Sequence, residues 1–303
     1  MNTIPTVTIA LSAYNEAENI GRFLQSVLEQ KENGFILEKI LVISDGSDDS
    51  TISVAKSISS PKIEVREYPV RAGKSARLNE IYDSLTSDIL VQSDADITFA
   101  HPGVVAAMVA ALSSGESVGM CGGRPQPLPA QTWTEKAVNL STRAYDRLRE
   151  TFRGGNNVLS ADGRLLAFRR DLVKNLHIPE DMITNDMFAY FSCLKAGREY
   201  RFVPEAVVHF RSPQTLRDQI RQNTRFVAGP LRMEKYFGDE IVARERSIPF
   251  SLFARTALRE FFSHPILASY IFAVNLYCRA KAKMTESQLS AKWQMALSTK
   301  KLQ

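Results

Sequence analysis

The stretch Asp88-Ile89-Leu90-Val91-Gln92-Ser93-Asp94-Ala95-Asp96 decides the fold. A short run of strand character, Asp88–Gln92, enters a polar cluster with two carboxylates two positions apart. A short apolar run ended by turn residues reads as a buried strand. The same grammar stands upstream. Thr6–Leu11 ends in Ser12-Ala13-Tyr14-Asn15-Glu16, Lys39–Ile43 ends in Ser44-Asp45-Gly46-Ser47-Asp48-Asp49-Ser50-Thr51, and Lys62–Glu67 is followed by the loop Arg71-Ala72-Gly73-Lys74. Between these runs apolar residues recur at helical spacing: Ile20, Phe23, Leu24, Val27 and Leu28, then Ile52, Val54, Ala55 and Ile58, then Leu78, Ile81, Tyr82 and Leu85. The order βαβαβαβ predicts an α/β fold with a mostly parallel sheet flanked by helices.

Beyond Asp96 the alternation weakens. The pattern predicts a helix over Pro102–Leu112, a strand over Ser117–Gly122 and a stiff extended connector over Arg124–Pro129. A long helix is expected over Thr132–Phe152, a strand pair over Val158–Phe168, a short helix over Met187–Leu194, a strand over Tyr200–Val203 and a helix over Pro213–Val227.

The chain has 303 residues, 23% of them charged and 44% hydrophobic, which excludes a wholly disordered polymer. Three widely separated cysteines give no disulfide framework, and without a CxxC pair or clustered histidines a thiolate/imidazole zinc site is not expected. No secretory signal is expected at the N-terminus, nor any spanning helix, and cysteine usage fits a reducing, cytoplasmic setting. Charge is uneven. Residues 1–210 hold 22 basic and 26 acidic residues (net −4), and residues 211–303 hold 16 and 7 (net +9).

In parallel sheets ligands bind at the carboxyl ends of the strands. There the pattern gathers Asn15-Glu16, Asp45 and Asp94/Asp96. Two carboxylates at i and i+2 of extended chain point to one side and suit Mg²⁺ or Mn²⁺, though Asp-x-Asp also occurs widely in plain loops. Asp45 can accept from a base N–H or ribose hydroxyls, or cap a turn. Lys74 can meet a phosphate at the start of its helix, or stand solvated. Neither a P-loop nor a Gly-x-Gly-x-x-Gly fingerprint is present.

Taken in order, Tyr14-Asn15-Glu16, Ser44–Thr51, Gly73-Lys74-Ser75-Ala76-Arg77-Leu78-Asn79, Asp94-Ala95-Asp96, Gly163–Arg170, Thr184-Asn185-Asp186 and Gln222-Asn223-Thr224-Arg225-Phe226 resemble the motifs of family 2 glycosyltransferases with the Rossmann-like GT-A fold. The match covers residues 6–229. Two positions depart from the family pattern: Asn185 stands where an acid precedes the base, and Phe226 where a tryptophan is usual.

The resemblance implies a metal-dependent inverting transfer from a nucleotide-diphospho-sugar, most simply a UDP-sugar, to a hydroxyl of a glycan, polysaccharide or lipid-linked sugar. It implies donor contacts from Ala13, Asn15, Glu16, Asp45, Lys74, Asp94 and Arg225. Asp96 is the implied ligand of Mn²⁺ or Mg²⁺, Asp186 the general base, and Gln222 and Phe226 the acceptor contacts. Two alternatives stand beside it: transfer to a polyprenyl phosphate, and a non-catalytic sugar-nucleotide or glycan-binding scaffold. The resemblance divides the chain into a catalytic unit, 1–229 (nucleotide half about 1–98, acceptor half about 99–229), and a helical extension, 230–303.

That extension is basic yet apolar. Leu252, Phe253, Leu258, Phe261 and Phe262 share a broad helical face. Pro265–Cys278, nominally about 21 Å as a helix, is too short to span a bilayer and is followed by Arg279, Lys281 and Lys283. This pattern suits in-plane binding to an anionic membrane, on the inner face of the cell membrane, or packing against the catalytic unit or a second subunit. No nucleic-acid recognition module is present, so no nucleic-acid partner is expected.

Overall fold

Strand residues that alternate between two faces need cover on both, and the helices provide it. The computed structural model describes residues 4–289, 297–300 and 302. In chain order the first elements are β1 (Thr6–Ala13), α1 (Ala17–Leu28), β2 (Ile36–Asp45), α2 (Thr51–Ser57), β3 (Ile63–Tyr68), α3 (Lys74–Ser84) and β4 (Ile89–Ser93). There follow β5 (Ile97–Phe99), α4 (Val104–Ser113), β6 (Val118–Pro127), α5 (Trp133–Thr151), β7 (Leu165–Arg169), α6 (Arg170–Val173), α7 (Asn185–Lys195) and β8 (Glu199–Phe210). Four helices close the chain: α8 (Leu216–Phe237), α9 (Asp239–Arg246), α10 (Phe250–Ser263) and α11 (Pro265–Thr285).

The strands form an eight-stranded sheet in the order β3-β2-β1-β4-β7-β6-β8-β5. β3, β2, β1 and β4 are mutually parallel, as the βα alternation predicts. β7 enters antiparallel between β4 and β6, and β5 lies antiparallel on β8. Side chains alternate: Ile9, Leu11, Ile40, Val42 and Val91 join one apolar cluster with Phe23, Leu24 and Met108 of α1 and α4. Ala10, Leu41, Ile43 and Leu90 join a second with Leu78, Ile81 and Tyr82 of α3 and Phe191 of α7. Because β1 lies between β2 and β4, with Ser12 opposite Ile43 and Leu11 opposite Ser93, their polar carboxyl ends are adjacent.

The second half departs from expectation in three places. Arg124–Pro127 is not a free connector but the continuation of β6, paired with Val207–Phe210 of β8. Its prolines are tolerated because β7 pairs only with Met120–Gly122, so the far edge there needs no donor. Val158–Phe168 is not a strand pair. Asn157 accepts from the Leu159 amide (3.0 Å) and caps a single 3₁₀ turn, leaving only Leu165–Arg169 as strand. The strand expected at Tyr200–Val203 runs on to Phe210.

α5 starts where Thr132 caps it: Thr132 Oγ1 accepts from the Glu135 amide (3.1 Å), and Glu135 in turn accepts from the amide of Gln131, one residue before the cap (2.7 Å). α8 runs through Pro230, so residue 229 lies inside a helix. In the extension, Leu267, Ile271, Val274 and Cys278 of α11 pack on Ala137, Val138 and Leu140 of α5. The opposite face keeps Ile266, Phe272, Leu276 and Tyr277 exposed, and α10 buries only Glu260. Residues 290–296, 301 and 303 of the expected extension lie outside the described residues.

Candidate active site

The carboxyl ends of β1, β2 and β4 open into a cavity of about 560 Å³, walled opposite by the turn 162–164, the start of α7 and one face of α8. Asp94 and Asp96 sit on the link between β4 and β5, with buried Ala95 between them, and both line the cavity. The Lys74 ammonium, at the first position of α3, contacts Asp94. Burial, then the charge of Asp94, pushes the Asp96 carboxyl up, while Arg164, Lys300 and Lys74 pull it back. Glu16 is pushed up to about 7, mainly by burial and then by Asp96; the Lys300 ammonium and the Asn19 amide (3.1 Å) oppose that shift.

Asp45 also borders the cavity, but its oxygens already serve the protein. They accept from the amides of Ala72 and Gly73 and from Arg77 Nε, each at 2.8 Å. A carboxylate has about four acceptor positions, so one remains for a ligand. Asn15 and Ala13 do not line the cavity. Ala13 is fully buried. Asn15, at φ 54°, donates to Asp48 Oδ1 (2.6 Å) and accepts from the Asp48 amide (3.0 Å), tying the end of β1 to the loop after β2. Their neighbours Ser12, Tyr14 and Glu16 are the ones that face the cavity.

Across the cavity, Asp186 stands in the first turn of α7. Its Oδ2 accepts from the Gly163 amide (3.2 Å) and its Oδ1 from the Met187 amide (2.8 Å). Burial first, then the charge of Asp162, raises its carboxyl above the ordinary range. Asn185 accepts from Ser75 Oγ (3.3 Å), so it fastens α7 to α3 where the family pattern has an acid. One face of α8 brings Arg221, Gln222, Arg225 and Phe226 to the cavity, as spacings of one, four and five residues require. Arg225 is lowered to about 10 by burial, with Asp186 the largest opposing influence. Its guanidinium lies 5.3 Å from the centre of the half-exposed Phe226 ring.

Four further lining residues escaped sequence reasoning. Arg71 stacks on Tyr14, 4.0 Å from the ring centre. Asp162 and Arg164 pair at 3.0 Å beside Asp186. Lys300 donates to the carbonyls of Tyr14 (3.0 Å) and Asn15 (2.9 Å) from the far end of the chain. Asp162 and Arg164 carried a faint signal, since they flank the glycine of a recognised motif. Lys300 carried none.

The motif order and the fold point to one family, and the family model described as "Glycosyltransferase like family 2" matches residues 5–229. The chain belongs to that family and is a glycosyltransferase. A Bacillus subtilis protein named "Probable glycosyltransferase YdaM" is 25% identical over 91% of this chain and 68% of its own length. The poly-beta-1,6-N-acetyl-D-glucosamine synthase of Staphylococcus aureus is 24% identical over 79% of this chain and 56% of its own. The chain thus spans little more than half of that synthase. Among solved structures, the mannosyltransferase PcManGT of Pyrobaculum calidifontis, in complex with GDP-Man and Mn²⁺, superposes with a TM-score of 0.60 at 19% identity, covering 96% of this chain and 86% of that one. Glucosyl-3-phosphoglycerate synthase of Mycobacterium tuberculosis, with Mn²⁺, UDP and phosphoglyceric acid, gives 0.53 at 18% identity, covering 75% and 78%. These likenesses establish the GT-A fold.

Proposed function

We propose that this glycosyltransferase moves a sugar, with inversion, from a nucleotide-diphospho-sugar to a hydroxyl of a glycan or lipid-linked sugar. The observation that carries the reading is the opposition of Asp94 and Asp96 to Asp186 across one cavity, with Lys74 and Arg225 within reach of both sides. The donor diphosphate would lie on the Asp94/Asp96 side, its nucleoside toward Tyr14 and Arg71. Asp186 would take the proton of the acceptor hydroxyl as that oxygen bonds to the anomeric carbon from the face opposite the leaving diphosphate. One displacement with one base inverts the centre. Lys74 and Arg225 would hold the charge gathering on the departing nucleoside diphosphate.

Among the described residues no group of three or more His, Cys, Asp or Glu is arranged to hold an ion. Asp96 still fits a hard cation that takes most of its oxygens from substrate and water. Mn²⁺ or Mg²⁺ at Asp96 would neutralise the leaving diphosphate. The solved neighbours with GDP-Man or UDP and Mn²⁺ support that donor class. The presence of a base favours a hydroxyl over a polyprenyl phosphate, whose oxygen is already anionic. The pairing of donor carboxylates with a base favours an enzyme over a scaffold.

The exposed apolar face of α10 and α11 supports docking on an anionic membrane surface. Phe250, Phe262 and Ile266 are 80%, 78% and 76% exposed, with Arg255, Arg259, Arg279, Lys281 and Lys283 close in sequence. No helix among the described residues is long and apolar enough to cross a membrane. The test of the activity is nucleoside diphosphate release from a panel of UDP- and GDP-sugars with Mn²⁺, Mg²⁺ or chelator, in wild type and Asp96→Asn. Metal-dependent turnover lost in the variant is the expected result. No turnover of any donor, with membrane extract supplied as acceptor, would overturn the proposal.

A further inference from the structure

The turn between the 3₁₀ segment and β7 is built more elaborately than a connection requires. Arg164 Nη1 reaches both oxygens of Asp162 (3.2 and 3.0 Å), and the Arg164 amide donates to the same carboxylate (3.0 Å). The guanidinium also lies over the Phe210 ring, 3.8 Å from its centre. Ser93 Oγ, at the end of β4, donates to the Arg164 carbonyl (2.8 Å), so the turn is also pinned to the end of the strand that leads into Asp94 and Asp96. Between the two charged residues, Gly163 donates its amide to Asp186. A Cβ there would meet Asp186 Oδ2 and Lys74 Nζ at 3.7 Å, which shows how closely the turn approaches both groups.

We propose that Asp162-Gly163-Arg164 is a positioning clasp for Asp186. Gly163 fixes one carboxylate oxygen, Asp162 stands beside it as a held negative charge, and Arg164 keeps Asp162 in place and ionised. The proposal rests on the reading of Asp186 as general base. Its chemical consequence follows from charge alone: a fixed anion beside a carboxylate makes the latter a stronger base. The direction agrees with the raised Asp186 carboxyl and the lowered Asp162 carboxyl, the latter drawn down, against burial, chiefly by Arg164. The other charged and titratable groups facing Asp186 are Lys74 of α3, Arg225 of α8 and Tyr145 of α5. Lys74 and Arg225 favour the ionised base. Asp162 is the anion that opposes them, adding to the upward push that burial already gives.

The test is a direct titration that needs no turnover. Protein labelled with carboxyl-¹³C aspartate is followed by NMR from acid to neutral pH, with Asp186→Asn identifying the Asp186 signal. Asp162→Asn is expected to lower the Asp186 midpoint by about one pH unit, and Asp162→Glu, which restores the charge, to return most of that shift. A second readout, the acid limb of the kcat profile, is expected to move the same way in Asp162→Asn. An Asp186 midpoint unmoved in folded Asp162→Asn overturns the clasp, whatever the activity. A shifted midpoint in a chain that transfers no sugar would leave the clasp standing and remove the catalytic reading instead.

Discussion

Replacing Asp186 by asparagine keeps the side-chain shape and removes the proposed base. Loss of a positioned base typically slows the chemical step by about 10²–10⁴-fold, which corresponds to roughly 3–5 kcal/mol of activation free energy. The fold is expected to tolerate the change, because two effects oppose one another. Asp186 accepts two amide bonds, from Gly163 and Met187; the asparagine oxygen can serve one, and the amide left over costs about 1–3 kcal/mol. Against this, folding raises the Asp186 carboxyl, so its ionisation is a burden on the native state at neutral pH. The sign is that of a raised acid: wild-type stability falls as pH climbs past the unfolded carboxyl value, and the variant is spared that fall. The expected melting temperature therefore stays within a few degrees of wild type. Activity has the opposite sense, since only the ionised base works. The wild-type rate should rise with pH along a limb lying above the ordinary carboxylate range near 4, and that limb should vanish in the variant. The assay is steady-state nucleoside diphosphate release with acceptor present, read as a pH profile beside a thermal melt. A variant that keeps more than about a tenth of wild-type kcat, or the same acid limb, would refute Asp186 as the base.

Other substitutions test the supports of the site. Asp45→Ala leaves Arg77 and two loop amides without their buried partner and should cost about 3–5 kcal/mol in urea unfolding. Gly46→Ala places a Cβ 2.7 Å from the Arg71 nitrogen at φ +72°, so roughly 1–3 kcal/mol of strain and weaker nucleotide binding by calorimetry are expected as Arg71 shifts from Tyr14. Phe250→Ser combined with Phe262→Ser removes two largely exposed apolar side chains; co-sedimentation with phosphatidylglycerol vesicles should fall while turnover of a soluble acceptor persists.

The part up to β4 was legible because each element was decided locally. β1, β2 and β4 are buried apolar runs, and the residues just past each run are polar. The parallel order then brought Glu16, Asp45, Asp94 and Asp96 together without any knowledge of contacts. The part after β4 was less legible because its elements are decided by partners. Arg124–Pro127 is a strand only because β8 lies beside it, and proline content alone argues the other way. Val158 and Leu159 have strand character, but Asn157 accepts from the Leu159 amide and donates to the Phe152 carbonyl, which holds the segment in a tight turn. Asn15 shows the same limit within a recognised motif: its amide is spent on Asp48, and the neighbouring Tyr14 and Glu16 reach the cavity instead. Lys300 lies 284 residues from Glu16, a separation across which no periodicity or capping rule carries information.

Charge explains why these groups tolerate one another. Among the described residues, six lining carboxylates (Glu16, Asp45, Asp94, Asp96, Asp162 and Asp186) face six lining cations (Arg71, Lys74, Arg164, Arg221, Arg225 and Lys300), so their formal charges balance. A charge-balanced cavity of that kind gains less from a bare dianion, which would leave net negative charge there, than from a neutral pair. A nucleotide-diphospho-sugar accompanied by a divalent cation is neutral as a pair and meets no such penalty. The balance changes during transfer, because the departing nucleoside diphosphate takes on negative charge as the glycosidic oxygen is released. In the proposed placement of the donor, Lys74 and Arg225 then face more charge than they did in the ground state. Interactions that strengthen only as the bond breaks are the ones that lower the barrier. On this view the pairing of near-neutrality at rest with fixed cations beside the leaving group, more than any single residue, makes the cavity suited to sugar transfer.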